Sequence, residues 1–350
     1  MNDVCLEELD FENTRLKCEN IMLKLDGNLL MLDKAFSMYD YVTKYGVDRS
    51  FVKVHNTHYE LDALAGMIYP CNESFDGFEV DLATYKQVCM EGILEAITNA
   101  IKWVIEKLKA LCSWIGEMWD KFWGLFRNKS ESNKNKIKTL RSMLLSDEAE
   151  FDTEYVSTQA VAKYNEIIQK IESTPTNSAP NGNTEIIPGL SSDEYTKIVD
   201  FISNFTTTNK NQHVEKITIK DNAGKDRLLN IADRTTADFE KLIATIGKII
   251  TNHKSEITEY EKREQELTKK IAGNKDENAK ARLSAFRASI KKYKNTVSVL
   301  SKLLKLVLDD TKLTEKMLVH IGKYIKASKD KQMSTEIDKY AAETTVNNKP

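Results

Sequence analysis

From about residue 235 to residue 327 the apolar positions recur in alternating steps of four and three. Phe239, Ile243, Ile246, Ile250, His253, Ile257, Tyr260, Glu264, Leu267 and Ile271 form one run. Ala272 to Asp276 interrupts it, and Leu283, Phe286, Ile290, Tyr293, Val297, Leu300, Leu304, Val307, Thr311, Thr314, Leu318, Ile321 and Ile325 resume it. Side chains three and four apart share one face of a helix, so the spacing predicts two helices with an a/d seam on either side of a short polar loop. A short loop sets its two helices antiparallel. Residues 235–327 are therefore expected to form an antiparallel coiled-coil hairpin, about 50–65 Å long at about 1.5 Å per residue. His253 and Glu264 are polar positions in the seam. They fix register or mark a wet stretch, with a pH-sensing role for His253 as the alternative. The rhythm is lost after 327, and 328–350 reads as a disordered tail.

A second apolar stripe runs through residues 90–127. Met90, Ile93, Leu94, Ile97, Ile101, Val104, Ile105, Leu108, Leu111, Cys112, Ile115, Trp119, Phe122 and Phe126 keep helical spacing. All four tryptophans, Trp103, Trp114, Trp119 and Trp123, lie in this stretch and widen the stripe. The opposite face balances Lys102, Lys107, Lys109, Lys121 and Arg127 against Glu91, Glu95, Glu106, Glu117 and Asp120. Charges at that spacing argue against a membrane span. Either the stripe packs into a core, or it docks a partner or lies on a membrane surface.

Elsewhere the pattern is weaker. Leu16, Ile21, Leu25, Leu29, Leu32 and Phe36 suggest an N-terminal helix, and Gly46 and Pro70 to Gly77 suggest loops. A helix is expected over about 152–172. The run from Ser173 to Asn183 is too rich in Pro, Ser, Thr and Asn to support a core, so 173–193 reads as a flexible linker. Alternation over residues 214–220, then Asp221 to Gly224, fits a small β-hairpin near 213–231 or an irregular approach to the next helix. The expected organisation is a helical domain over 1–172, the linker, a small connecting region over 194–234, the coiled-coil hairpin and the tail. The fold class is mainly all-α.

Composition fits that class: among 350 residues, 30% are charged and 41% hydrophobic, with only 13 Gly and 5 Pro. Proline breaks helices, so proline-free stretches permit long ones. Net charge is −2, but it is unevenly placed. Residues 1–90 carry twice as many acidic as basic side chains, whereas 280–329 are strongly basic. Lys291, Lys292, Lys294, Lys302 and Lys305 form a candidate basic patch on that arm, read either as a solvated face or as a contact for a polyanion such as DNA. The cysteines, Cys5, Cys18, Cys71, Cys89 and Cys112, are odd in number and lack a CxxC pair, which suggests free thiols in a reducing compartment. The first residues are acidic and carry no secretory pattern.

Catalytic patterns do not stand out. There is no Walker loop, GxSxG elbow, HExxH helix or Rossmann glycine fingerprint. His55 and His58, with Cys71, make a weak three-ligand metal candidate without an evident fourth ligand. They are also the one place where an unfamiliar enzyme site could lie. Glu148, Glu150, Asp152 and Glu154 form an acidic run that reads as a solvated helix start. No enzyme activity, cofactor or small-molecule substrate is expected.

The stretch from Ala96 to Leu108, then Ser113 to Gly116 and Asp120 to Trp123, followed by long charged helices, resembles internal virion (head) proteins of giant tailed bacteriophages in texture. The resemblance implies a non-enzymatic structural protein packaged in or attached to the phage head, in the capsid interior, or co-ejected with DNA, and present in the host cytoplasm during assembly. Its partners would be other virion proteins or copies of itself, with packaged DNA near the basic arm. Trp103, Trp114, Trp119, Trp123 and Phe122 are the expected interaction residues. A membrane-active or membrane-remodelling protein that uses the tryptophan helix is the alternative.

Overall fold

The computed structural model describes residues 2–45, 82–145, 150–173, 189–207, 213–272 and 279–346. They form a mainly helical protein with one small sheet. In chain order the elements are α1 (Asn2–Tyr45), α2 (Leu82–Arg141), β1 (Phe151–Val156), α3 (Thr158–Glu172), α4 (Ser192–Thr207), β2 (Val214–Ile219), α5 (Asn222–Ala272) and α6 (Ala279–Val346). The 60 residues of α2 and the 68 of α6 contain no proline, so nothing in either helix interrupts the backbone ladder.

The apolar rhythm after 235 does produce two long helices, α5 and α6. They touch each other, but they are not a free-standing pair. α2 packs against both of them, α1 lies along α2 and also reaches α6, and α4 packs on α6. Between Ser289 and Thr314, α6 has many more buried positions than an a/d stripe supplies. Val299, Leu303 and Leu308 are buried beside the seam residues Val297, Leu300, Leu304 and Val307. A helix covered on several sides needs partners for its polar groups. Thr296, Thr311 and Thr314 supply theirs locally, each hydroxyl donating to the carbonyl four residues back.

One core runs through α1, α2, α3, α4, α5 and α6. Phe11, Leu25, Ile101, Leu111, Phe122, Tyr164, Ile198, Ile243, Tyr293 and Leu304 all belong to it. A smaller cluster lies beside it, where Ile137 and Leu140 from α2, Phe151 from β1, Ile219 from β2, Leu228 from α5 and Ile321 from α6 meet. Residues 1–172 and 235–327 therefore share a core.

The alternation at 214–219 is a strand, and its partner comes from far away in the sequence. β2 pairs antiparallel with β1, with Phe151 opposite Ile219 and Val156 opposite Val214. Residues 221–231 form no second strand: Asp221 accepts a bond from the Gly224 amide at 2.7 Å and caps the start of α5. Phe151, Thr153 and Tyr155 turn to the core face, while Asp152 and Glu154 face outward. Cross-strand pairs fix the outer register: Thr218 donates to Asp152 at 2.6 Å, and Lys216 lies 3.3 Å from Glu154. The acidic run read as a helix start is thus partly the exposed edge of a strand.

The end of the expected linker is docked. Leu190 is fully buried, its amide donates to Thr296 at 3.0 Å, and its carbonyl accepts from Asn295 at 3.2 Å. Ser191 and Glu194 then cap α4 reciprocally, each side chain accepting from the other residue's backbone amide. At the other end, α6 continues as helix to Val346, through the stretch expected to be a tail; residues 329–336 are exposed all round. Residues 174–188 and 273–278 and the side chain of Glu264 lie outside the described residues.

A Cβ added to Gly189 would lie 2.6 Å from the backbone of Lys292, so the 189–191 segment sits directly on α6. Gly189→Ala is expected to lower unfolding free energy by about 1–3 kcal/mol, because backbone must move to admit it. Urea denaturation with an unchanged midpoint would show that the segment is not pinned there.

Candidate functional surfaces

The tryptophan helix is largely turned inward. Phe122 is fully buried and meets Phe11 of α1 with ring centroids 6.0 Å apart and Phe126 at 5.8 Å. Trp119 stacks on Phe122 at 6.1 Å and on Trp123 at 6.0 Å. It also fills the space over Gly247 of α5, where a Cβ would come within 2.6 Å of its ring. Trp114 is half-buried beneath the Lys17 ammonium, 4.9 Å from its ring centre. Trp103 is partly covered. Trp123 is the one exposed tryptophan, at 42%. These aromatics form a ladder that joins α1, α2 and α5, with Trp123 at its outer end. Among the described residues, no helix is long and apolar enough to cross a membrane.

The basic arm faces the acidic N-terminal helix. Lys294 binds Asp26 in two contacts, at 2.5 and 2.6 Å. Arg287 pairs with Asp33, Lys305 lies 3.7 Å from Glu12, and Lys312 lies 2.8 Å from Glu8. Lys302 sits 5.6 Å over the Tyr195 ring of α4. Lys292 packs under Gly189, and Lys291 is exposed. Of the five lysines expected to form a patch, Lys292, Lys294, Lys302 and Lys305 thus have partners within the chain. The Arg15 guanidinium, with Lys305 adding to it, holds the Glu12 carboxyl below the usual carboxylate range.

A buried polar cluster that the sequence reading missed lies where α3, α6 and the start of β2 meet. Asp310 is 2% exposed. It accepts from the Tyr164 hydroxyl at 2.9 Å and contacts His213 Nε2 at 2.5 Å. The Ser157 amide donates to the His213 carbonyl at 2.9 Å, which ties the α3 cap to the same point. Burial pushes the Asp310 carboxyl up and the Tyr164 phenol up, in the latter case with Asp310 adding to the effect. Tyr164 also stacks on Phe239, with centroids 6.4 Å apart. A carboxylate, an imidazole and a phenol in one network is a set that acid–base catalysts use, but here it is enclosed by core and joins three elements. The only hint in the sequence was an acid inside the α6 apolar rhythm.

A lysine pin lies at the far end of α2. The buried Lys225 ammonium donates to the Met143 carbonyl, just beyond the helix, where the backbone dipole favours a cation. Asn222 brackets Leu145 by accepting from its amide and donating to its carbonyl at 3.3 Å. Near the sheet, an open groove of about 770 Å³ is lined by Asp152, Glu154, Lys216, Lys316, His320 and Lys323 among others. Its two carboxylates are taken by Thr218 and Lys216. Among the described residues, no group of three or more His, Cys, Asp or Glu side chains could hold a metal ion. His55, His58 and Cys71 lie outside the described residues. Of the cysteines, Cys18 is buried and its thiol is pushed up to about 12 by burial, which keeps it protonated and unreactive. No family model, no curated protein and no solved structure matches the chain.

Two substitutions probe the buried polar groups. Asp310→Ala leaves the Tyr164 hydroxyl and His213 without their shared acceptor, and is expected to cost about 3 kcal/mol in chemical denaturation. A loss below half of that would mean that water replaces the carboxylate. His253 is buried against Tyr293, with centroids 5.2 Å apart, and burial lowers its imidazole from 6.5 to about 4. The unfolded chain therefore binds a proton that the folded chain refuses. The contribution is intact above pH 6.5 and is lost as pH falls from 6.5 to 4, by at most about 3 kcal/mol. His253→Phe should flatten that part of the stability profile, and an unchanged slope would remove His253 as its cause.

Proposed function

We propose that this chain is a structural assembly protein that acts through helical surfaces, in the interior of a tailed-phage head. The observation that favours a structural role is where its distinctive residues go. The aromatic ladder of α2 and four cations of the basic arm join one long helix to another, and the Asp310 cluster ties α6 to α3 and β2. The surfaces left over are faces of rods, which suit lateral contacts with other chains.

The placement in a phage head comes from the texture of residues 96–123. The contact proposed is with protein rather than with DNA, since Lys294 and Lys305 are engaged by the chain's own carboxylates. A membrane role is disfavoured because Trp119 and Phe122, which would have to insert, are packed against Gly247 and Phe11.

Mass spectrometry of purified particles tests the reading. Many copies per particle, retained after nuclease treatment, are expected. Absence from particles that contain the other head proteins would overturn it.

A further inference from the structure

The face of α1 turned away from α2 and α6 carries a seam of its own. The inner seam includes Phe11, Cys18, Leu25 and Leu32, all buried. On the opposite side, Leu9, Leu16, Leu23 and Leu30 recur at intervals of seven and are between 50% and 71% exposed. Leu6, Asn13, Asn20 and Gly27 stand three residues before them, and Leu6 is 63% exposed. From 6 to 30 these positions alternate steps of three and four. That is a heptad seam with leucine at every d position and Leu, Asn, Asn and Gly at the a positions. Scattered exposed leucines need no explanation, but a periodic run along about 37 Å of helix, at 1.5 Å per residue, does. Nothing in the described chain lies within 4 Å of a Cβ built at Gly27, so this side is open at that point.

The flanks of the seam indicate what covers it. One flank carries Glu12, Glu19 and Asp26, and the other carries Lys17 and Lys24 below Asp10. When two α1 helices from separate copies lie parallel, Glu12 falls opposite Lys17 of the second copy, and Glu19 opposite Lys24, twice each by symmetry. Laid antiparallel over the same seam, Glu12 would face Asp26 and Glu19 its own counterpart, Lys17 would face Lys17, and only Asp10 and Lys24 would meet with opposite charge. Charges at these flanking positions set partner and orientation in coiled coils. Asn13 and Asn20 each meet their own counterpart in the parallel register, where one amide donates and the other accepts. Leucine at d with asparagine at a is the combination that fixes two strands in one register. In the single chain Glu12 and Glu19 both touch Arg15, Glu12 also lies 3.7 Å from Lys305 and Lys17 lies over Trp114, yet 34% and 39% of the two glutamate side-chain surfaces stay open, and Lys17 and Lys24 are exposed.

We propose that two copies of this chain pair through residues 6–30 of α1 as a parallel two-stranded coiled coil, with the twofold axis running along the helices. The contact is isologous, so it closes at two copies and leaves α3, α4 and the sheet free for other contacts. The pairing stands independently of the phage-head reading, because it rests on α1 alone.

Sedimentation of the full chain at micromolar concentration is expected to give twice the chain mass. Leu16→Glu combined with Leu23→Glu should raise the dimer dissociation constant by about 100-fold or more. Its monomer should melt at the same temperature as an unpaired wild-type chain, since both leucines face outward. Asn20→Cys treated with diamide should yield a disulfide-linked dimer well above the wild-type level, which only the parallel register allows. Four outcomes would overturn the proposal: a wild-type monomer throughout, a dimer indifferent to the glutamates, an Asn20→Cys dimer that does not crosslink, or a double variant whose monomer is itself destabilised. The last would mean that the stripe is covered within its own chain.

Discussion

Enclosure of α6 is the constraint from which the rest of the architecture follows. A long helix with one apolar face needs one partner, but α6 between Ser289 and Thr314 presents buried positions on several sides. α2, α5, α1, α4 and β1 each cover part of it. The sequence of α6 is adapted to that enclosure in two ways. Three of its buried polar residues, Thr296, Thr311 and Thr314, satisfy their hydroxyls on the preceding turn. Its two larger polar groups there, Asn295 and Asp310, serve as sockets for other elements, Asn295 for the 189–191 segment and Asp310 for Tyr164 and His213. A buried carboxylate is expensive to leave alone, so its partners are held in place as firmly as it is.

Charge does a separate job at the edges of that packing. The acidic surplus near the N-terminus and the basic surplus near the C-terminus are two halves of one interface. Asp26, Asp33, Glu12 and Glu8 line up against Lys294, Arg287, Lys305 and Lys312. Most of these pairs are partly exposed, so each adds little to stability. Their value is in register. A heptad seam tolerates a slide by seven residues with little apolar loss, and four ion pairs spaced along two helices do not. The apolar core thus holds α1 down, and the ion pairs set where along α6 it lies.

The helices after residue 235 were legible because burial imposes a period on a helix whatever covers it. What the period does not encode is the identity of the cover. Ile243 and Leu304 fit an a/d seam equally well in a two-helix hairpin or in a core that also contains Ile101 and Leu111, and the second arrangement is the one found. The sheet shows the same limit. Val214 to Ile219 announced a strand, but hydrogen-bond pairing at a separation of some sixty residues leaves no local trace. The alternation of Phe151, Thr153 and Tyr155 with Asp152 and Glu154 was present, yet the carboxylates drew the eye to a helix start. Ser191 and Glu194 carried a readable capping box at the end of a stretch dismissed for its composition. Asp310 had no signal beyond being an acid in an apolar rhythm, because its meaning depends on Tyr164 and His213 arriving from elsewhere.

α1 explains why a helix can look featureless to an averaged measure and still be highly specified. Its apolar residues fall on two opposite sides, so the inner and outer seams cancel in any single-face description. Separated by register they are distinct. The inner seam mixes Phe, Thr, Cys, Met and Leu, shapes suited to fill an irregular core against Phe122 and Leu111. The outer seam repeats leucine at one position and carries Leu6, Asn13, Asn20 and Gly27 at the other, a surface suited to a partner of the same period. Evolution of a solitary helix gives no reason to keep leucine at 9, 16, 23 and 30 on the wet side, where each change to a charged residue would improve solubility. A helix that must satisfy a core on one side and a copy of itself on the other has that reason.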